Sequence, residues 1–236
     1  MKKYIGTKQI EAEPMTRGDA WGKHLLREKP STENFDDEGY HVRYEDGYES
    51  WSPKDVFEKA YKIAETPVDR MQIEAEEVNG RYVKLAAFID SGKMDEVVND
   101  MYNKCLLEMQ CCTMFDYIRL LDTRIQRMQG SDSAEVRKMN FGMAIMALKA
   151  GFPIRRSGWN GKGLMVFKQI PAHIESDVIP KMQSLPQSAK DLILKGKGFI
   201  DYTSQCLIYN ENTGRADSWV PSISDVFADD WEIVLP

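Results

Sequence analysis

The stretch from residue 66 to about 129 constrains the fold most, because it contains no proline after Pro67 and only two glycines. Thr66 followed by Pro67 is typical of a helix start, and Asp69 adds the partner of a capping box. The segment Ser91-Gly92-Lys93 interrupts the pattern. The stretch therefore predicts two long helices joined by a short turn, an antiparallel helical hairpin.

Apolar side chains recur at helical spacing along both predicted helices. The first helix carries Met71, Val78, Leu85, Phe88 and Ile89, and the second carries Val98, Met101, Cys105 and Cys112, then Met114, Ile118, Leu121, Ile125 and Met128. One hairpin cannot bury both stripes by itself. We therefore expect the hairpin to pair with copies of itself in a homo-oligomer.

The segments on either side of the hairpin are predicted to be small domains that contain both helices and strands. Residues 1–64 are rich in glycine, proline and aromatic residues, and the alternation of His41-Val42-Arg43-Tyr44 ahead of Glu45-Asp46-Gly47 predicts a strand and a hairpin turn. Residues 139–236 begin with a short helix capped by Asn140 and continue as short strands around a helical insert.

The fold class predicted from these patterns is α+β: a small antiparallel-sheet C-terminal domain with helices, preceded by a long antiparallel helical hairpin and a small N-terminal α+β domain. The predicted domains are residues 1–64, 66–129 and 139–236, with Gly130-Ser131-Asp132-Ser133 as a linker.

Composition excludes several functional classes. The 236 residues carry a formal charge of −6, which lacks the basic excess of a protein that grips long nucleic acid. No apolar run approaches the roughly 20 residues that span a bilayer, and the first residues lack the apolar core of a signal peptide. We therefore expect a protein of the cytoplasm, with no membrane partner and with its four cysteines reduced.

Neither a catalytic nor a metal centre is predicted. The three histidines are far apart in sequence, and three of the four cysteines lie in one predicted helix, so a zinc site is not expected. No pair of carboxylates, no nucleophile with a base and no phosphate loop stands out. The expectation is a protein that is not an enzyme and needs no cofactor.

Two tryptophans in polar loops are the candidate binding residues. Trp159 lies in the glycine-lined segment Gly158–Gly163, next to Arg155 and Arg156, and Trp219 lies among serines and Asp225. Such indoles either stack on a ligand ring, for which a purine is a common partner, or pack on the sheet as part of the core. The residues alone leave both readings open and favour the second.

An internal similarity links the two ends of the chain. Ser50–Phe57, which contains Trp51-Ser52-Pro53, resembles Ser218–Phe227, which contains Trp219-Val220-Pro221. More loosely, Ala20–Lys23 resembles Gly158–Lys162. The similarity is explained equally well by coincidence in turn-rich sequence and by a first segment that is a degraded relative of the last.

Three segments together resemble a known phage family. They are Met139–Gly151, Arg155–Gly163, and the closing stretch from Asp217 through Asp230 and Trp231. The family is the second type of phage Thoeris anti-defence protein, and the resemblance covers about residues 139–235. It implies a homotetramer in the bacterial host cytoplasm that binds, without cleaving, cyclic ADP-ribose isomers made as an immune signal. Some family members also hold cyclic dinucleotides at a separate site.

The resemblance implies roles for individual residues and reverses the reading of the tryptophans. Aromatic side chains of these motifs sandwich the nucleotide in the family, so Trp159 and Trp219 become the expected stacking surfaces, with Phe141 included in the site. From the chemistry of their side chains, we expect Asn160, Ser222 and Asp225 to hydrogen-bond the sugar and base edges. Arg156 or Lys162 is expected to meet the diphosphate.

Two weaker resemblances cover the rest of the chain. The middle hairpin is similar to the helical hairpin of phage sponges that act against cyclic-oligonucleotide (CBASS) and Thoeris signalling, and residues 1–62 resemble a small phage domain of no assigned activity. The predicted function is a sponge that sequesters a cyclic ADP-ribose isomer, a cyclic dinucleotide, or both. The alternatives are an enzyme that cleaves such a nucleotide and a structural or regulatory phage adaptor without a small-molecule ligand.

Overall fold

The computed structural model describes residues 9–235. The chain forms two compact units whose boundary lies between Ile73 and Glu74. The α+β prediction is confirmed, since long helices occupy the middle of the chain and antiparallel sheets lie in both units. The three domain ranges drawn from the sequence stay a prediction. Within the described residues, no helix has both the length and the apolar character needed to cross a bilayer.

The first unit is built around a three-stranded antiparallel sheet of order β1-β2-β3. Its elements are β1 (Ile10–Thr16), α1 (Arg17–Gly22), a 3-10 turn (Thr32–Asn34), β2 (Glu38–Tyr44), β3 (Glu49–Pro53) and α2 (Lys54–Ala60). The predicted hairpin turn is present, and Gly47 takes a positive φ of 82° there. The helix α2 begins directly after Pro53, because Pro53 itself still pairs with Gly39 in the sheet.

The middle helices are α3 (Pro67–Asp90), α4 (Lys93–Val97) and α5 (Met101–Met128). The predicted start of α3 is confirmed: the Asp69 amide donates to the Thr66 hydroxyl at 3.1 Å, and the Thr66 amide donates to the Asp69 carboxylate at 2.8 Å. The predicted short turn is longer than expected, because the one-turn helix α4 follows Gly92. Its Met94 is buried, and that burial holds the extra turn in place.

Two contacts align α3 and α5 within the second unit. The Tyr117 hydroxyl donates to the Glu74 carboxylate at 2.6 Å, and the rings of Tyr82 and Phe115 lie 5.6 Å apart. Leu121 and Ile125 of the predicted stripe are buried. Many other apolar residues of the two helices are exposed, including Val83, Met101, Tyr102, Leu106, Met109, Phe115, Leu120 and Met128.

The remainder of the second unit is a five-stranded antiparallel sheet of order β10-β4-β5-β8-β9. Its elements are α6 (Phe141–Lys149), β4 (Ile154–Arg156), β5 (Leu164–Lys168), β6 (Ala172–Ile174), a 3-10 turn (Ile179–Lys181), α7 (Gln187–Lys195), β7 (Ile200–Tyr202), β8 (Cys206–Asn210), β9 (Arg215–Trp219), α8 (Ile223–Val226) and β10 (Trp231–Ile233). The strands β6 and β7 form a separate ribbon at the base of the predicted helical insert.

The core of this sheet domain lies between α6 and the sheet. It consists of Met139, Met143, Ala144, Ala147, Leu148, Ile154, Val166, Ala228 and Trp231. As predicted, the side chain of Asn140 caps α6, accepting from the Met143 amide at 2.9 Å. The cap is itself tied to α5, because the Asn140 amide nitrogen donates to the Asp116 carboxylate at 2.6 Å.

Candidate functional site

A fully buried tryptophan organises the predicted aromatic residues. Trp231 has no exposed surface, and its ring lies 5.4 Å from that of Trp159, 5.6 Å from that of Phe141 and 6.1 Å from that of Trp219. The indoles of Trp159 and Trp219 are each turned by nearly 80° from the plane of Trp231, the edge-to-face arrangement that aromatic pairs favour. The three residues selected from sequence are therefore brought together, and each stays partly exposed.

Asp225 is the polar centre of the same region. Its side chain is buried and accepts hydrogen bonds on both oxygens. Oδ2 takes the Ser222 amide at 3.0 Å and the Ser222 hydroxyl at 2.7 Å, while Oδ1 takes Nη1 of Arg156 at 3.0 Å and Nε1 of Trp159 at 3.2 Å. Burial raises the pKa of Asp225, but the bonds from Ser222, Arg156 and Trp159 outweigh it, so the pKa lies below its ordinary value.

The contacts of Ser222 and Asp225 also form the capping box of α8. Ser222 accepts from the Asp225 amide at 3.2 Å and shares a hydrogen bond of 2.8 Å with the Ser224 hydroxyl. These two predicted ligand contacts therefore already have protein partners. Their expected bonds to sugar and base edges stay a prediction.

Arg156 bridges two carboxylates. Its Nε donates to Oδ1 of Asp230 at 2.7 Å, and its Nη1 donates to Asp225 and to the Ser224 carbonyl oxygen at 3.2 Å. The hydrogen bond to Asp230 is the largest cause that raises the pKa of Arg156, and the same bond is the largest cause that lowers the pKa of Asp230. A ligand diphosphate would compete with both carboxylates for this guanidinium.

The glycine-rich turn between β4 and β5 is fixed at both of its ends. The amides of Ser157 and Gly158 donate to the backbone oxygen and the carboxylate of Asp230, at 3.0 and 2.9 Å. At the other end, the Asn212 amide nitrogen donates to the Lys162 carbonyl oxygen at 2.7 Å. Gly163 has a φ of 77°, which is strained for any other residue.

The exposed side chains of Asn160 and Lys162 project from this fixed turn. Neither has a hydrogen-bond or ion-pair partner anywhere in residues 9–235. The nearby Arg155 differs, because it pairs with Glu232 at 2.7 Å. The turn thus presents one amide and one cation on a rigid support, which is what recognition of a polar, anionic ligand requires.

Apolar surface lies next to the predicted site. Val220, Ile223 and Phe227, which flank the capping box of α8, are each at least 80 % exposed. The eight predicted residues line neither of two concave regions that the structure contains. One, of about 500 Å³, lies between α1, β3 and α2, and the other, of about 380 Å³, lies at the β6–β7 ribbon.

Sequence reasoning did not select Trp231 and Asp230 as members of the site, although both lie in the stretch that carries the resemblance. A tryptophan in a short strand at the end of a chain gives no sign by itself that three other rings will surround it. Asp230 lies directly before Trp231 and accepts from both Gly158 and Arg156, a pairing across more than seventy positions that spacing does not reveal. Among residues 9–235, no cluster of three or more histidine, cysteine, aspartate or glutamate side chains could hold a metal ion.

Comparison with known proteins gives two family matches. Residues 139–234 match the model of the Thoeris anti-defense 2-like domain, and residues 65–127 match the model named Sequestin. The chain is also 33% identical over 102 residues to "Thoeris anti-defense 2" of Bacillus phage SP01, a match that covers 41% of this chain and 96% of that protein. The match takes in almost all of the phage relative, so the chain belongs, through its C-terminal sheet domain, to the Thoeris anti-defense 2-like family.

Proposed function

We propose that this protein is an anti-defence sponge, which binds and sequesters a cyclic nucleotide immune signal without cleaving it. The observation that carries the proposal is the aromatic site of the family domain, where Trp159 and Trp219 are held partly exposed around the buried Trp231. Aromatic faces held this way stack on nucleobases at roughly 1–3 kcal/mol per base. The ligand class proposed is a cyclic ADP-ribose isomer, with a cyclic dinucleotide as a second ligand.

The roles of the site residues follow from their contacts. Trp159 and Trp219 sandwich the adenine of the ADP-ribose isomer, and Phe141 supports them through Trp231. Asn160 and Lys162 are available for the sugar and the diphosphate because their side chains project unpaired from the fixed turn. Ser222, Asp225 and Arg156 contact the ligand only where their protein partners leave an atom free.

We propose further that the protein acts as a homo-oligomer, with a tetramer as the expected size. The exposed apolar stripe of α5 supports this, since Met101, Tyr102 and Met109 are at least 60 % exposed. The match of this region to the Sequestin model favours a second ligand site on the hairpin. A sponge of this kind acts where the signal is made, in the cytoplasm of the host bacterium.

The test is calorimetric titration of the full chain with a glycocyclic ADP-ribose isomer and, separately, with cyclic dinucleotides. Trp159→Ala should weaken binding of the ADP-ribose isomer by about 5- to 150-fold, the equivalent of one lost stacking surface. Tyr48→Ala is the matched control, because Tyr48 is an exposed aromatic residue of the other unit. Equal affinities for Trp159→Ala and the unchanged chain would contradict the proposed site. Absence of binding by the unchanged chain would favour a structural protein without a small-molecule ligand.

A further inference from the structure

The carboxylate of Asp225 has one oxygen that the capping box does not use. Oδ2 alone satisfies the Ser222 amide and hydroxyl, while Oδ1 accepts from Nε1 of Trp159 and Nη1 of Arg156. Helix capping therefore does not account for the burial of this charge. Its second oxygen joins the capped helix to the tryptophan of the glycine-rich turn.

An indole anchored at its N–H is restricted in both of its side-chain torsions. Trp159 contacts Trp231 edge-to-face and donates to Asp225 at 3.2 Å, so its ring is held from two directions while part of its surface stays exposed. A stacking surface that is oriented before the ligand arrives loses less conformational entropy on binding. Phenylalanine at this position would keep a ring but could not be anchored.

Arg156 is committed to the two carboxylates rather than to solvent. Its side chain is 19 % exposed, and it donates to Asp225 and twice to Asp230, at 3.0, 2.7 and 3.4 Å. It supplies the positive charge that allows Asp225 to stay ionised while buried. An exposed phosphate gains little from a guanidinium that is already neutralised.

We propose that Asp225 is a positioning residue, which orients the indole of Trp159 for stacking, and that Arg156 is its counter-ion rather than a contact for the ligand's phosphates. This inference rests on the proposed function, because the ligand is the one proposed there. Of the two candidate cations, Arg156 and Lys162, the inference assigns the phosphate contact to Lys162 alone.

A double-mutant cycle tests the inference. Asp225→Asn keeps an oxygen acceptor but removes the charge, and Trp159→Phe keeps a ring but removes the N–H. Each should weaken binding of the cyclic ADP-ribose isomer about tenfold, on the scale of a lost hydrogen bond to a charged group. In the Trp159→Phe background, Asp225→Asn should then weaken binding no more than about twofold, because the anchor is already gone.

Nuclear magnetic resonance of the ligand-free protein distinguishes a positioning role of Asp225 from a merely structural one. The indole N–H resonance of Trp159 should shift in Asp225→Asn, while that of Trp231 should keep its position. Trp231 is an internal control, because its Nε1 donates to the backbone oxygen of the same Asp225, at 3.1 Å, and the substitution leaves that oxygen in place. A Trp159 resonance that keeps its position, or one that moves only together with that of Trp231, would overturn the inference.

If Asp225→Asn fails to fold, Trp159→Phe alone decides the question, and an affinity equal to that of the unchanged chain overturns the inference. Equal losses from Asp225→Asn in both backgrounds also overturn it, since they indicate direct contact with the ligand. Absence of binding by the unchanged chain is a different result, because it overturns the proposed function and this inference together.

Discussion

Two regions of the molecule share a local sequence pattern, but the tryptophan of that pattern has different surroundings in each. In the first unit β3 ends in Trp51-Ser52-Pro53 and leads into α2. In the second, β9 ends at Trp219, and Val220 and Pro221 follow it ahead of α8. Both strands form the second arm of an antiparallel hairpin whose turn carries a glycine with positive φ, Gly47 in one and Gly214 in the other. The same order of strand, tryptophan, proline and helix therefore occurs in both units.

The surroundings of the two tryptophans differ. Nε1 of Trp51 donates to the Met15 carbonyl oxygen at 2.9 Å, and its ring meets the backbone of Gly39 and the guanidinium of Arg17, 5.2 Å away. Trp219 instead lies edge-to-face with Trp231 and packs against the core of the sheet domain. Both rings are partly exposed, but Trp51 fastens its own sheet through its N–H, whereas Trp219 belongs to a cluster of aromatic rings around Trp231.

The helix α1 of the first unit and the helix α6 of the second also start alike. Thr16 and Asn140 follow a buried methionine, cap α1 and α6 with their side chains, and precede alanines with no exposed surface, Ala20 and Ala144. The sheets differ, however, since β1 pairs directly with the hairpin strand β2, whereas the residue before Asn140 pairs with Trp231 of β10. The looser match of Ala20–Lys23 to Gly158–Lys162 is wrong structurally, because Trp21 lies in a helix and Trp159 in a turn.

The largest expected effect comes from removing the centre of the aromatic site. Trp231→Ala deletes a fully buried indole that contacts three rings and donates to the Asp225 carbonyl oxygen, so it should lower the free energy of unfolding by about 3–5 kcal/mol. Denaturant unfolding followed by circular dichroism measures this. Trp51→Ala, at a partly exposed ring of the other unit, should cost less, and the opposite order would contradict the comparison.

Ligand binding should separate the two equivalent tryptophans. Trp219→Ala should weaken binding of the cyclic ADP-ribose isomer by about 5- to 150-fold through loss of a stacking surface. Trp51→Ala should leave the affinity within about twofold, because that indole is fastened to the Met15 carbonyl oxygen of the first unit and is no part of the proposed site. Calorimetry on both variants decides, and comparable losses would mean that both units take part in one binding function.

Gly39→Ala tests how tightly Trp51 is fastened. A Cβ at residue 39 would lie 2.4 Å from the Ser52 carbonyl oxygen, which belongs to the backbone of the sheet, and 2.5 Å from the Trp51 ring, which is hydrogen-bonded to Met15. The substitution should destabilise the first unit by about 1–3 kcal/mol. Hydrogen exchange of the β2 amides should accelerate, while that of β8 should not, and unchanged protection of β2 would show that Trp51 is loosely held.

Acid should weaken the second unit's polar centre. The pKa values of Asp225 and Asp230 lie below their ordinary value of 3.8, so in acid the unfolded state takes up their protons first. Their contribution to stability is therefore complete above about pH 3.8 and is lost as the pH falls below it. Unfolding measured between pH 5 and 2 should show a shallower loss for Asp230→Asn than for the unchanged chain; identical curves would contradict this assignment.

The smallest effect is expected at Lys162. Lys162→Gln should weaken binding of the ADP-ribose isomer by about two- to fivefold, as for an exposed charge pair, and the difference should shrink in high salt. Lys197→Gln removes the same charge from the exposed insert and should leave the affinity unchanged. A loss that is independent of salt, or equal in both variants, would argue against a phosphate contact at Lys162.

Much of the fold could be predicted because its signals are local. The caps at Thr66 and Asn140 located the starts of α3 and α6, the break at Gly92 located the end of α3, and the His41–Tyr44 alternation located β2. The start of α5 was placed too early, because Val98 precedes the cap at Asp100. The strand β9 was missed, and Trp219 was assigned to a turn, because β9 is a polar edge strand whose first four residues are exposed. An edge strand of this kind has no apolar alternation to reveal it.

The site could be predicted only in part, for a similar reason. Trp159, Trp219 and Phe141 were selected through a resemblance, and the structure brings them together around Trp231. The pairing of Arg156 with Asp225 and Asp230 joins residues about seventy positions apart. Spacing in one sequence cannot reveal such pairing, so the sequence suggested that Arg156 was free to bind the diphosphate.

The central claim is sequestration without cleavage, and one measurement tests it most directly. The purified full chain is incubated with a glycocyclic ADP-ribose isomer, separated from free ligand and heat-denatured, and the released small molecule is identified by mass spectrometry and chromatography. We predict that the isomer is recovered unchanged in amounts stoichiometric with the protein. Recovery of a hydrolysed or rearranged product, or of no ligand at all, would contradict the account.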